Sequence, residues 1–254
     1  MPTIIDTNEN NIANYGMCGY KNIKNIGFKR KIDWIKKHYR DRMKVKILQS
    51  AEHGSVGSIE YLPGEFAWRP VNAIGYMFIH CILIYSKKYK GFGYGRQLLD
   101  ECITGAKKQN LKGVAVVTRK GTFMQGNDLF VRNDFVSVDK AEPDFELLVN
   151  KFDESFPDPK FIKFPDSSLT KYQSGLSIIT SDQCPYATKS VEDITLVAKQ
   201  NYNIIPQVIE LKNYKEAQNV PSAFGSFCIF YNGEIIADHP ISSRRFSNIM
   251  KKVT

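Results

Sequence analysis

Cysteine is sparse in this chain, with Cys18, Cys81, Cys102, Cys184 and Cys228 spread over 254 positions. The number is odd and no C-x-x-C pair occurs, which argues against a disulfide framework and a structural zinc site; no metal is expected. Long apolar runs are also lacking. The longest, Ala73 to Tyr85, is interrupted by His80 and falls short of the ~20 residues needed to cross a bilayer. It reads as a buried strand, and no membrane partner is expected. The first ten residues contain no basic stretch followed by an apolar core, so no secretory signal is visible and the expected compartment is the cytoplasm.

What is present is ordinary globular composition, 43% hydrophobic and 24% charged, with a net charge of +9. The length gives an expectation of one to two domains, and the charge admits nucleic acid, anionic membrane or a phosphate-rich cofactor. Position narrows this. Between Lys21 and Lys46 stand eleven basic and two acidic residues, an excess equal to the whole net charge. Phe28, Ile32, Ile35, Tyr39 and Met43 recur there at helical spacing, predicting a helix with the cations on its outer face. That face reads as solvated surface or as an electrostatic lip for an anionic ligand; no nucleic-acid motif accompanies it, and no nucleic-acid partner is expected.

Hydrophobic patterning predicts strands at 45–49 and 56–62, then the central strand within Ala73 to Tyr85, a helix over 95–109, a strand at 114–118, a short helix at 127–133 and a strand at 145–152. Three prolines between Phe156 and Pro165 read as an extended linker. Beyond it the pattern predicts a strand at 175–180, a helix from about 186 to 201, strands at 207–211, 227–231 and 234–237, and helices at 214–219 and 243–252. The expected class is α/β (α+β), divided into a domain over 1–157, a linker over 158–172 and a smaller α/β domain over 173–254.

The most informative segment lies between the long apolar strand and the helix after it: Lys87-Lys-Tyr-Lys-Gly-Phe-Gly-Tyr-Gly-Arg-Gln-Leu-Leu. Gly91, Gly93 and Gly95 allow backbone N–H groups to converge where the helix N-terminus presents its own unpaired donors, with Lys87, Lys88, Lys90 and Arg96 adding charge. This suits a pyrophosphate. A Walker A ending and a G-x-G-x-x-G fingerprint are both missing.

Lys90-Gly-Phe-Gly-Tyr-Gly resembles the R/Q-x-x-G-x-G/A signature of the GNAT acetyltransferases, with Lys90 in place of Arg or Gln. With Glu60-Tyr-Leu-Pro-Gly-Glu, Asp128-Leu-Phe-Val-Arg-Asn-Asp-Phe and the appended tail, nearly the whole chain resembles the YoaP-like group, in which a GNAT mixed sheet with flanking helices carries a smaller thioredoxin-like domain. The resemblance implies an acetyl-CoA-dependent N-acetyltransferase acting on a small-molecule or peptide amine by direct attack in a ternary complex. It places acetyl-CoA along Ile82, Leu83, Ile84 and Tyr85, over Lys90, Gly91, Phe92, Gly93, Tyr94, Gly95 and Arg96, and beside Asn127 and Phe130. Where many relatives carry a proton-donating Tyr, this sequence has Phe130.

The acceptor amine must be neutral to attack, so a base is sought. His80, with an unperturbed pKa near 6.5, and the strand residue Glu60, together with Glu65, are the catalytic candidates. Tyr61, Trp68 and Tyr76 are candidates for the acceptor pocket. In the second domain Cys184-Pro-Tyr-Ala187 resembles the thioredoxin redox motif with Ala187 in place of a resolving cysteine. Cys184 is either a reactive thiol at a helix start or part of a docking module without redox chemistry. A non-catalytic acyl-CoA-binding or interaction module and a thiol-dependent sensor stay open as alternatives, as does oligomerisation.

Overall fold

The computed structural model describes residues 1–20 and 24–253. Lys21 of the basic segment lies outside the described residues. Contacts divide the chain into two compact units, Met1–Ala67 with Val71–Phe161, and Trp68–Pro70 with Ile162–Thr254. No helix of the described residues is long and apolar enough to cross a membrane.

The first unit contains β1 (Thr3–Asp6), α1 (Ile26–His38), β2 (Lys44–Ser50), β3 (Gly54–Pro63), β4 (Val71–Asn72), β5 (Met77–Ile84), α2 (Tyr94–Lys108), β6 (Gly113–Arg119), α3 (Asp128–Val131), β7 (Val136–Ala141), β8 (Phe145–Lys151) and β9 (Lys160–Phe161). Seven strands form one mixed sheet in the order β1-β2-β3-β5-β6-β8-β7. The apolar run from Ala73 supplies β5, the middle strand, as its composition requires. β1 and β7, which patterning missed, are the two edges; their sequences TIID and VSVDKA leave them mostly half-buried or exposed, so they carry little apolar signal.

Two irregularities shape β5. Against β3 it pairs Glu60 with Cys81 and then Tyr61 with Ile79, leaving His80 as the extra residue of a bulge. Against β6 it runs parallel only from Met77↔Val114 to Ile79↔Val116, although both strands continue. Bulges bend and twist a strand, and beyond this one β5 and β6 share no pairing. Leu98, Leu99, Cys102 and Ala106 of α2 are buried and join a core with Ile59, Tyr61, Ile79, Ile82, Val116 and Phe130.

Helix α1 is capped by Asn25, whose side chain accepts from the Phe28 N–H, and carries Lys36 and Lys37 in its last turn, where cations complement the helix dipole. It is shorter than the apolar spacing predicts: Met43 lies beyond the helix, just before β2. The outer cation face also needs one correction. Lys31 sits on the buried face with Phe28, Ile32 and Ile35, its Nζ 2.6 Å from Glu60 Oε2 with both side chains fully buried and 4.7 Å over the Trp34 ring. Burial by itself lowers a lysine, but the adjacent Glu60 carboxylate together with Cys18 and Cys81 outweighs it and holds the Lys31 ammonium above its ordinary range.

The second unit holds β10 (Leu176–Thr180), α4 (Pro185–Tyr202), β11 (Gln207–Glu210), α5 (Tyr214–Gln218), β12 (Cys228–Tyr231), β13 (Glu234–Ala237) and α6 (Ser243–Val253). Its sheet order is β11-β10-β12-β13, with β10 parallel to β11 and antiparallel to β12. The segment expected as an extended linker is structured instead: β9 pairs with β4, a 3-10 helix spans Asp166–Tyr172, and the Tyr172 ring stacks on Phe230 at 4.1 Å. Among the described residues the one cis peptide precedes Pro143.

Removing one member of a fully buried ion pair strands the other charge, at a cost of about 3–5 kcal/mol. Lys31→Met should therefore lower the urea midpoint strongly, and Lys31→Met with Glu60→Leu should recover most of the loss. Equal midpoints for Lys31→Met and the parent chain would show that the pair does not hold α1 to the sheet.

Candidate active site

The parting of β5 from β6 opens a cavity of about 520 Å³, within the range of small-ligand sites. One wall is the end of β5: Ile82, Leu83 and Ile84. The floor is the glycine turn, with Tyr89, Lys90, Gly91, Gly93, Tyr94, Gly95 and Arg96. Residues 125–133 supply the opposite side through Gln125, Asp128, Leu129, Arg132 and Asn133.

The turn has the geometry its glycines permit. Gly91 and Gly93 have φ of +85° and +79°, values that side-chain-bearing residues rarely adopt. A Cβ on either would meet no atom within 4 Å, so both stand over open space. Gly93 is the N-cap of α2 and offers no side chain to its first turn; the first intrahelical bond there is from Gln97 N–H to the Gly93 carbonyl. Lys90 and Arg96 line the cavity beside these N–H groups. The positive end of a 15-residue helix and two cations thus face one cavity, an arrangement of the kind that attracts anions.

Of the residues placed with acetyl-CoA by resemblance, Ile82, Leu83, Ile84, Lys90, Gly91, Gly93, Tyr94, Gly95 and Arg96 line this cavity and four others do not. Tyr85 is turned into the protein, with its N–H donating to the Val56 carbonyl and its hydroxyl to Ser58 Oγ. Phe92 is exposed. Asn127 donates to Glu146 Oε2 and lines a separate cavity between β6, β7 and β8. Phe130 is fully buried with its ring 5.4 Å from Phe135. Asp128, Leu129, Arg132 and Asn133 recur at three- and four-residue steps and share the face that lines the cavity, whereas Phe130 turns the other way into the core.

Tyr89 was also missed. Its hydroxyl is 2.8 Å from both Ser50 Oγ and His53 Nδ1, and its ring is 6.0 Å from Tyr94. This network fixes the start of the glycine turn against the β2–β3 hairpin.

The acceptor-side candidates need larger corrections. Glu60 is fully buried and bound to Lys31, so it is closed to a substrate. Glu65 pairs at the surface with Arg42, 2.7 Å away. Tyr61 is buried against Gly105 of α2, where burial raises its phenol well above the usual range. Tyr76 is buried too, donating to the Pro157 carbonyl, and burial pushes it up to about 12. Trp68 belongs to the second unit and is buried. His80 occupies the β5 bulge, 7% exposed, edge-on to Phe78 at 5.6 Å and 6.3 Å from Trp34. Cys184, in the second unit, is the half-buried N-cap of α4, with Pro185 at the first helical position.

Three comparisons bear on this architecture. A family model described as YoaP-like matches residues 207–248. The chain is 29% identical over 194 residues, 76% of each sequence, to a Bacillus subtilis (strain 168) protein described as an uncharacterized N-acetyltransferase, YoaP. Among solved structures, an acetyltransferase of the GNAT family from Staphylococcus aureus Mu50 is 16% identical, with a TM-score of 0.45 over 60% of this chain and all of that one. The Escherichia coli GNAT family N-acetyltransferase YhbS in complex with CoA is 11% identical, with a TM-score of 0.43 over 63% of this chain and 89% of that one. The chain is thus similar to the YoaP-like family model in its C-terminal segment and to an N-acetyltransferase over three-quarters of its length.

Proposed function

We propose that this protein is an acetyl-CoA-dependent N-acetyltransferase that transfers the acetyl group directly to a primary amine. The observation that carries the reading is the glycine turn: a left-handed, Cβ-free cradle at the N-terminus of α2, opening onto a cavity walled by the end of β5 beyond its pairing with β6. The cavity fits acetyl-CoA in kind. Gly91 to Arg96 would hold the pyrophosphate by backbone N–H groups, Lys90 and Arg96 would neutralise it, and Ile82 to Ile84 would pair with the amide-bearing arm as a neighbouring strand does. Acetyl-CoA supplies the activated thioester carbonyl and the thiol leaving group.

The chain's own contribution to the chemistry is placement and proton removal. With Glu60 buried in an ion pair and Glu65 held by Arg42, His80 is the remaining candidate base; it sits on the bulge where β5 leaves its regular pairing. Phe130 is sealed in the core, so this protein does not use a side-chain hydroxyl at that position on the departing thiolate. The second unit supports a thioredoxin-like reading through its β11-β10-β12-β13 order with one parallel pair. With Ala187 where a second cysteine would stand, we assign it docking rather than dithiol chemistry.

Two measurements test this reading. Acetyl-CoA should bind in calorimetric titration, and Gly93→Ala should weaken it by about tenfold or more, because an alanine held at this left-handed φ costs roughly 1–2 kcal/mol and the turn relaxes away from its binding shape. Absence of binding to the parent chain would overturn the proposal. In a thiol-release assay over a panel of amines, His80→Gln should lower kcat/KM at neutral pH by about 10²–10⁴-fold with the acetyl-CoA Kd unchanged. Binding without turnover on any amine would instead favour a non-catalytic acyl-CoA-binding module.

A further inference from the structure

The cysteine spacing predicts no metal, but the fold gathers two of the five cysteines around Glu60. Cys18 Sγ, Cys81 Sγ and a Glu60 carboxylate oxygen all lie within 4.8 Å of one another. Cys81 reaches the group because it is the cross-strand partner of Glu60 beside the β5 bulge. Cys18 arrives from a tight turn, Met17 to Tyr20, closed by a 2.8 Å bond from Tyr20 N–H to the Met17 carbonyl. Cys18 and Gly19 have φ of +53° and +79°, the signature of a two-residue turn that favours Asn-Gly. A cysteine at the first of these positions is conformationally disfavoured, and the turn delivers its sulfur to the sheet.

The carboxylate is divided between two tasks. Oε2 is held by Lys31 at 2.6 Å. Oε1 is buried and has no hydrogen-bond partner among the described residues, an arrangement that costs free energy unless something else engages it.

We propose that Cys18, Cys81 and Glu60 bind a single divalent cation of the Zn²⁺ class, with Lys31 as the positioning residue that orients the carboxylate. Two thiolates and one carboxylate favour zinc, cobalt or cadmium over magnesium and calcium. A tetrahedral zinc with Zn–S of about 2.3 Å and Zn–O of about 2.0–2.2 Å separates its donor atoms by roughly 3.5–3.8 Å, so the group closes on the ion by small side-chain rotations. Binding displaces the two thiol protons to solvent. The site then holds three negative ligands against Lys31 and a doubly charged ion, and is neutral overall, as a buried site requires. Three protein ligands leave a fourth position for water. The ion would fasten the Cys18 turn to β3 and β5 next to the bulge.

Co²⁺ alone, titrated into the full-length chain after chelator dialysis, tests the assignment. One equivalent should produce a near-ultraviolet thiolate-to-cobalt band together with the visible bands of tetrahedral cobalt, and Zn²⁺ should bleach both. Cys18→Ser and Cys81→Ser should each abolish the charge-transfer band, while Cys184→Ser should keep it. If the serine variants fail to fold, peptide mapping of the parent chain replaces them: Zn²⁺ should protect Cys18 and Cys81 from alkylation in the native state and leave Cys184 labelling unchanged. No cobalt spectrum, a spectrum retained in both Cys18→Ser and Cys81→Ser, no protection by Zn²⁺, or a Cys18–Cys81 disulfide in the freshly isolated protein would each overturn the proposal.

Discussion

The first unit depends on the early end of the pairing between β5 and β6. Two parallel neighbours in the middle of a sheet would ordinarily stay bonded along their length, but here they share only the stretch from Met77 to Ile79. The bulge at His80 turns the rest of β5 away. The opened wedge exposes backbone groups of β5 that no strand satisfies, provides a cavity in an otherwise close-packed core, and points the N-terminus of α2 into it. A sheet paired to its end would leave the glycine turn facing solvent with nothing to bind.

The bulge also organises the opposite side of β5. By shifting register between Glu60 and Tyr61, it places Glu60 against Cys81 and Tyr61 against Ile79. Tyr61 then packs under α2, while Glu60 meets Lys31 from α1. A buried carboxylate needs a counter-charge, and Lys31 supplies it from a helix whose remaining lysines face water. The two sides of the central strand thus carry different chemistry, with the cavity and its glycine turn on one and a charged, sulfur-bearing cluster on the other. His80 sits on the strand between them.

How legible this was in the sequence varied with the range of the interaction. The apolar run from Ala73, the glycines at alternate positions, and the helices after them are local signals, and the elements fall within a few residues of where patterning places them. The edge strands β1 and β7 escaped because an edge buries little and so writes little hydrophobicity into its sequence. In the short helix at 128–131, family resemblance pointed to Asn127 and Phe130, whereas the i, i+4 face that reaches the cavity is Asp128, Leu129, Arg132 and Asn133. Phe130 packs into the core on the other face of that helix.

Sequence alone therefore determined the central strand, the main helices and the presence of a glycine turn flanked by cations, because turn conformation and hydrophobic periodicity are properties of adjacent residues. Tertiary structure alone decided which side chains share a space. Glu60, Tyr61 and Tyr76 read as candidates to meet a substrate and are sealed in the core; Lys31 reads as one of eleven surface cations and is fully buried. Cys18 and Cys81, separated by more than sixty residues, become neighbours. Such contacts are set by the register of β3 on β5 and by the docking of α1, neither of which any local run of residues encodes.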